Sequence, residues 1–83
     1  MSGGIPAING PRLAKLLESD GWQRHGGNAH GWTYKKTLPS GETIVTTVPN
    51  ETSPMARGTL NAILGPKQTR LGRSGFLRLL RNR

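Results

Sequence analysis

The sequence contains no cysteine. Disulfide staples, thiolate metal sites and cysteine nucleophiles are therefore excluded, and with them the small disulfide-rich secreted scaffolds. Acids are scarce, with four Asp and Glu against twelve Lys and Arg, a formal net charge of +8. Four scattered acids and two histidines make a poor metal site, and no serine–histidine–acid set is evident, so neither a metal cofactor nor a protein nucleophile is expected. No run of about 18 apolar residues is available to span a bilayer. The opening MSGGIPAING has neither a basic n-region nor a long apolar h-region, and a cytoplasmic location is expected. Aromatics are few as well, two Trp, one Tyr and one Phe in 83 residues. A chain of this size buries only roughly 60% of its unfolded surface, so the core must be modest. One domain is expected over 9–83, preceded by a flexible start over 1–8.

The basic excess is uneven. Seven of the twelve cations lie from Arg57 onward, where there is no acid. Such a surface attracts polyanions, because neutralising phosphates releases counterions whatever the base sequence. Nucleic acid is the first partner this charge implies, and an acidic protein the second.

NGPRLAKLLESDGW predicts a helix. Asn9 or Gly10 can cap it, Pro11 suits its first turn, Leu13, Leu16 and Leu17 share a face, and Gly21 stops it. The period then changes. WQRH is a strand candidate, GGNA a turn, GWTYKKTL a second strand, PSG a second turn, and ETIVTTVP a third strand ended by Pro49. TLNAIL places Leu60, Ile63 and Leu64 at helical spacing before Gly65 and Pro66. KQTRLGR reads as a basic connector. SGFLRLLRNR offers Ser74 as a cap, with Phe76, Leu77 and Leu80 on one side and Arg78, Arg81 and Arg83 largely on the other. The expected fold class is α+β, an α-β-β-β-α order with helices on one face of a three-stranded antiparallel sheet.

Both histidines fall in RHGGNAHGWTYKK. If GGNA closes a tight hairpin, His25 and His30 come within range of one phosphate across its two strands. Otherwise each is an ordinary exposed strand residue. Adjacent strand residues point to opposite faces, so only one of Lys35 and Lys36 can share the face of His30. Counting by twos from His30 selects Trp32, Tyr34 and Lys36, provided the strand has no bulge. On this reading the lysines hold phosphates, and Trp32 and Tyr34 either stack on bases or belong to the core, since one face of the sheet must bury something. Arg57, just before the second helix, is a phosphate candidate reinforced by the helix start. Arg70, Arg73, Arg78 and Arg81 are expected to supply much of any RNA affinity, or else form a solvated basic face. GGNAHG lacks the following helix and the Lys-Ser pair of a phosphate loop.

Taken in order, LAKLLESDGW, GGNAHGWTY, LPSGETIVTTVPN, RGTLNAIL and SGFLRLL resemble the HicA-like toxins over roughly residues 11–80. These are small bacterial ribonucleases of toxin–antitoxin systems with a fold like that of double-stranded RNA-binding domains. The resemblance implies an endoribonuclease that cleaves mRNA without a metal and arrests translation, and a HicB-type antitoxin as protein partner. It also implies that His30, matching the histidine of the glycine-small-histidine motif, is the catalytic base or acid, and leaves His25 as a candidate helper. The chain departs from the pattern at Ala29, where Ser or Thr is usual, at Gly31, where another His or a bulky residue is common, and at Asn50, where a histidine often follows the proline. The alternative is a non-catalytic basic nucleic-acid-binding module on the same fold, and a third reading is an adaptor for an acidic protein.

Overall fold

Asn9 begins the first helix by a local device. Its side-chain oxygen accepts the Arg12 backbone N–H at 2.9 Å, which caps α1 (Gly10–Ser19). The helix ends in a Schellman arrangement at Gly21 (φ +93°): the Gly21 N–H donates to the Glu18 carbonyl at 3.2 Å and the Trp22 N–H to the Leu17 carbonyl at 3.0 Å. Between these stops Leu13, Leu16 and Leu17 form one face and are fully buried. Burying each side chain is worth at most about 2 to 3 kcal/mol, so this face does much to hold α1 on the sheet.

The computed structural model describes residues 6–81. After α1 come β1 (Gln23–Asn28), β2 (Gly31–Thr37), β3 (Thr43–Pro49), α2 (Arg57–Leu64) and α3 (Gly72–Arg81). The strands form one antiparallel sheet in the order β1-β2-β3. Trp32 stands opposite Val48, Tyr34 opposite Thr46, and Lys36 opposite Ile44. Tyr34, Ile44, Thr46 and Val48 are buried against the helices, whereas Lys35, Thr37, Thr43, Val45 and Thr47, one residue out of phase, are exposed. The expected α+β class is the architecture observed. α1 packs on β1 and β3, α2 on β3, and α3 on α1 and α2. No described helix is long and apolar enough to cross a membrane.

Several local expectations are corrected. Ile8 belongs to the core and its carbonyl accepts the Met55 N–H at 3.0 Å, so the ordered structure starts ahead of residue 9. Residues 1–5 of the expected flexible start, and Arg83 of the basic end, lie outside the described residues. Helix α3 starts at Gly72, which leaves Ser74 inside it rather than at its cap. It buries Phe76 and Leu79, with Leu77 and Leu80 half-buried. The basic connector before it is pinned by Thr69, whose hydroxyl and N–H both donate to the Ile63 carbonyl, at 2.8 and 3.0 Å.

Candidate functional site

The glycine-rich hairpin differs from the expected one by two residues. Asn28 pairs with Gly31, so the loop is Ala29–His30 and not GGNA. Arg24 pairs with Tyr34 and Gly27 with Trp32, which leaves His25 and Gly26 together opposite the single Thr33. This is a β-bulge, and it accounts for the glycines. Gly26 takes φ +113°, a conformation side chains resist, and a Cβ on Gly27 would lie 2.5 Å from the Gly31 carbonyl oxygen.

His30 therefore occupies the hairpin tip. Its N–H donates to the Asn28 side-chain oxygen at 2.7 Å, an Asx turn, and its carbonyl accepts the Asn50 N–H at 3.4 Å. The backbone is held from both sides while the residue stays exposed. His30 lines a groove of about 450 Å³ between β3 and α2, together with Val45, Thr47, Thr59, Ala62 and Gln68. No carboxylate lines it. Gln68 is fixed there by the buried Thr46 hydroxyl, which donates to its side-chain oxygen at 2.6 Å.

His25 lies elsewhere. It lines a second groove, of about 580 Å³, with Gln23, Lys35, Lys36, Thr37 and Thr43. The two imidazoles thus face different hollows, and the expected sharing of one phosphate across the hairpin is corrected: the bulge and the shifted loop separate them. The structure does bring His25 together with both lysines. Lys36 is half-buried and ion-paired to Asp20 at 3.0 Å, whereas Lys35 is exposed and without an ion-pair partner among the described residues.

Tyr34 is no base-stacking residue. It is fully buried, and its hydroxyl donates to Glu18 at 2.6 Å. Burial first, and the bond to Glu18 second, push its pKa up to about 12. Counting by twos from His30 thus leads onto the inner face of the sheet. Trp32 packs against the core and carries the Arg24 guanidinium 5.3 Å from its ring centroid, a cation–π contact.

The other cations separate by role. Arg70 (φ +60°) forms a two-pronged ion pair with Glu42 at 2.6 and 3.1 Å, which holds the Glu42 carboxyl below its ordinary range. The pair is exposed at the surface, and Glu42 there competes with the contact to RNA expected of Arg70. Arg57 is the exposed first residue of α2, whose cap position, Ala56, offers no side-chain hydrogen bond. It borders a separate hollow with Met55 and Leu60. Arg73, Arg78 and Arg81 are exposed along α3.

Gln23, Thr37, Thr43, Thr59 and Gln68 were not singled out by the sequence. The first three were findable as outward positions of alternating strands; Thr59 and Gln68 enter only through the packing of α2 and its following turn against β3. No group of three or more His, Asp or Glu side chains suited to a metal comes together among the described residues. Comparison with protein-family models, curated proteins and solved structures finds no match for this chain.

Proposed function

We propose that the protein is a HicA-like endoribonuclease acting on mRNA in the cytoplasm, with His30 as its acid–base group and a HicB-type antitoxin as its protein partner. The observation that carries this reading is the state of His30: an exposed imidazole on a backbone held by Asn28 and Asn50, at a groove with hydroxyl and amide side chains and no carboxylate. RNA supplies its own nucleophile. The imidazole takes the 2′-OH proton, the 2′ oxygen attacks phosphorus, and the P–O bond to the 5′ oxygen breaks. A 2′,3′-cyclic phosphate forms, and the leaving oxygen gains a proton from the imidazolium. Thr47, Thr59 and Gln68 are groups that can donate hydrogen bonds to the phosphate oxygens as charge builds there.

The test is single-turnover cleavage of a defined RNA in chelator, by wild type and by His30→Ala. General acid–base catalysis contributes about 10²- to 10⁴-fold, and the variant should lose about that factor while folding normally. Equal rates would remove His30 from the mechanism. A second reading, the non-catalytic binding module, is favoured by the separation of His25 from His30, which leaves one titratable group in the groove. Absence of cleavage by wild type that still binds RNA would decide for it.

A further inference from the structure

The helices cover one face of the sheet, and the other face carries residues that the proposed chemistry at His30 does not use. Gln23 and His25 from β1, Lys35 and Thr37 from β2, and Thr43 from β3 line the groove of about 580 Å³, which Lys36, reaching from the inner face, borders beside Gly21. Every one of these side chains can donate a hydrogen bond, and no carboxylate lines the hollow. The ammonium of Lys35 has no ion-pair partner among the described residues, while Asp20 already holds that of Lys36. His25, which shares the bulge with Gly26, lines this hollow, and bulges commonly re-aim a side chain. An arrangement of donors with one free cation and no acid fits an anion.

The aromatic residues narrow the class of anion contact. Trp22, Tyr34 and Phe76 are buried in the core, and Trp32 packs against it beneath Arg24. Sheets that read single-stranded RNA do so by stacking bases on exposed aromatics. This groove has none lining it. We infer that the helix-free face of the sheet binds the phosphodiester backbone of a nucleic acid strand through Lys35, His25, Gln23 and the Thr37–Thr43 pair, without base preference. The inference rests on the nucleic-acid reading of the charge but not on catalysis at His30. It gives His25 a binding role in place of the helper role first expected.

The experiment is fluorescence anisotropy with labelled oligo(U) and oligo(dT) of about twelve nucleotides, each titrated over a range of salt. Polyglutamate of similar charge serves as competitor. Wild type is compared with Lys35→Gln, His25→Gln and Lys15→Gln, the last removing the same charge from an exposed position of α1, with circular dichroism confirming that each variant folds. Wild type should bind the two oligonucleotides with similar affinity. Lys35→Gln should lower the slope of log affinity against log salt by about 0.7, the value for one phosphate on a single strand. Its affinity should fall by about threefold to tenfold, with a smaller loss in His25→Gln and little in Lys15→Gln. Unchanged binding in both groove variants, an equal loss in Lys15→Gln, a strong preference between the two oligonucleotides, or polyglutamate competing as well as oligo(U) would each overturn the assignment. If wild type binds neither oligonucleotide, the nucleic-acid reading falls with it. Normal wild-type binding with indifferent groove variants removes this surface alone.

Discussion

Tyr34 and Glu18 are joined at 2.6 Å between β2 and α1, the tyrosine fully buried and the glutamate exposed. The pair ties the sheet to the helix that covers it, and two residues further along the chain in each case Lys36 of β2 and Asp20, just past the end of α1, repeat the tie at 3.0 Å. A tyrosine that the alternation alone could assign to RNA is thus an internal strut.

Tyr34 is the single tyrosine, so its ionisation can be followed directly by ultraviolet absorbance. Its folded pKa, about 12, lies above the ordinary value of 10. The folded state therefore keeps a proton that the unfolded state has lost, and the associated stability is fully present below about pH 10 and disappears as pH rises toward 12. Denaturation midpoints should fall over that interval, and phenolate absorbance should appear late and together with unfolding. Tyr34→Phe should remove this pH dependence and cost about 1 to 2 kcal/mol at neutral pH. Titration near pH 10 in the folded protein would contradict the assignment.

Gly27 and Gly58 offer opposite outcomes for one substitution. A Cβ on Gly27 meets the Gly31 carbonyl oxygen at 2.5 Å and the Trp32 Cα at 3.0 Å, both backbone. Gly27→Ala should destabilise by about 2 kcal/mol or more, since strands in a tight hairpin cannot part without losing ladder hydrogen bonds. Gly58 lies in α2 with nothing within 4 Å of its Cβ position, and Gly58→Ala should stabilise by about 0.5 kcal/mol. Urea denaturation of both variants checks the contrast.

Arg70 and Glu42 neutralise each other, so the double variant Arg70→Gln/Glu42→Gln should leave the salt dependence of RNA binding nearly unchanged. Removing Arg73, Arg78 and Arg81, which have no ion-pair partners among the described residues, should flatten it by up to about 0.7 for each phosphate that is no longer neutralised. The Glu42 carboxyl titrates below its ordinary range, so the pair's contribution to stability is present above the unfolded-state pKa and is lost as pH falls through the lower folded value. Acid denaturation of the double variant should accordingly be less steep than that of wild type. Equal slopes in salt for the triple variant and wild type would make the α3 arginines spectators.

The two histidines should separate kinetically. On the proposed chemistry His30→Ala should lower the cleavage rate at every RNA concentration, because it would remove the group assigned to move the proton. The loss in His25→Gln should be recovered by raising the RNA concentration, as expected for a group that only holds the backbone. Rate measured against RNA concentration distinguishes the two, and a rate deficit of His25→Gln that persists at saturation would return it to the chemistry.

Helices and strands were legible in the sequence because their signals are local. Leu13, Leu16 and Leu17 repeat at the helical period, Ile44, Thr46 and Val48 at the strand period, and Asn9 and Gly21 mark the ends of α1 through bonds to neighbours within a few residues. The order of these elements then sufficed for the α+β class with an antiparallel meander. The site was less legible. One extra residue at His25–Gly26 and a loop of Ala29–His30 in place of GGNA decide which hollow each imidazole faces. Both depend on register between strands, which periodicity leaves open by one residue while a single step reverses every face. Partners such as Glu18 for Tyr34, Asp20 for Lys36, Glu42 for Arg70 and Gln68 for Thr46 are 16 to 28 residues apart in the chain. No spacing rule reaches across that distance. Local hydrogen bonds and side-chain period are properties of the chain itself, whereas the choice between a cation free to bind a phosphate and one spent inside the protein was made only when the helices closed over the sheet.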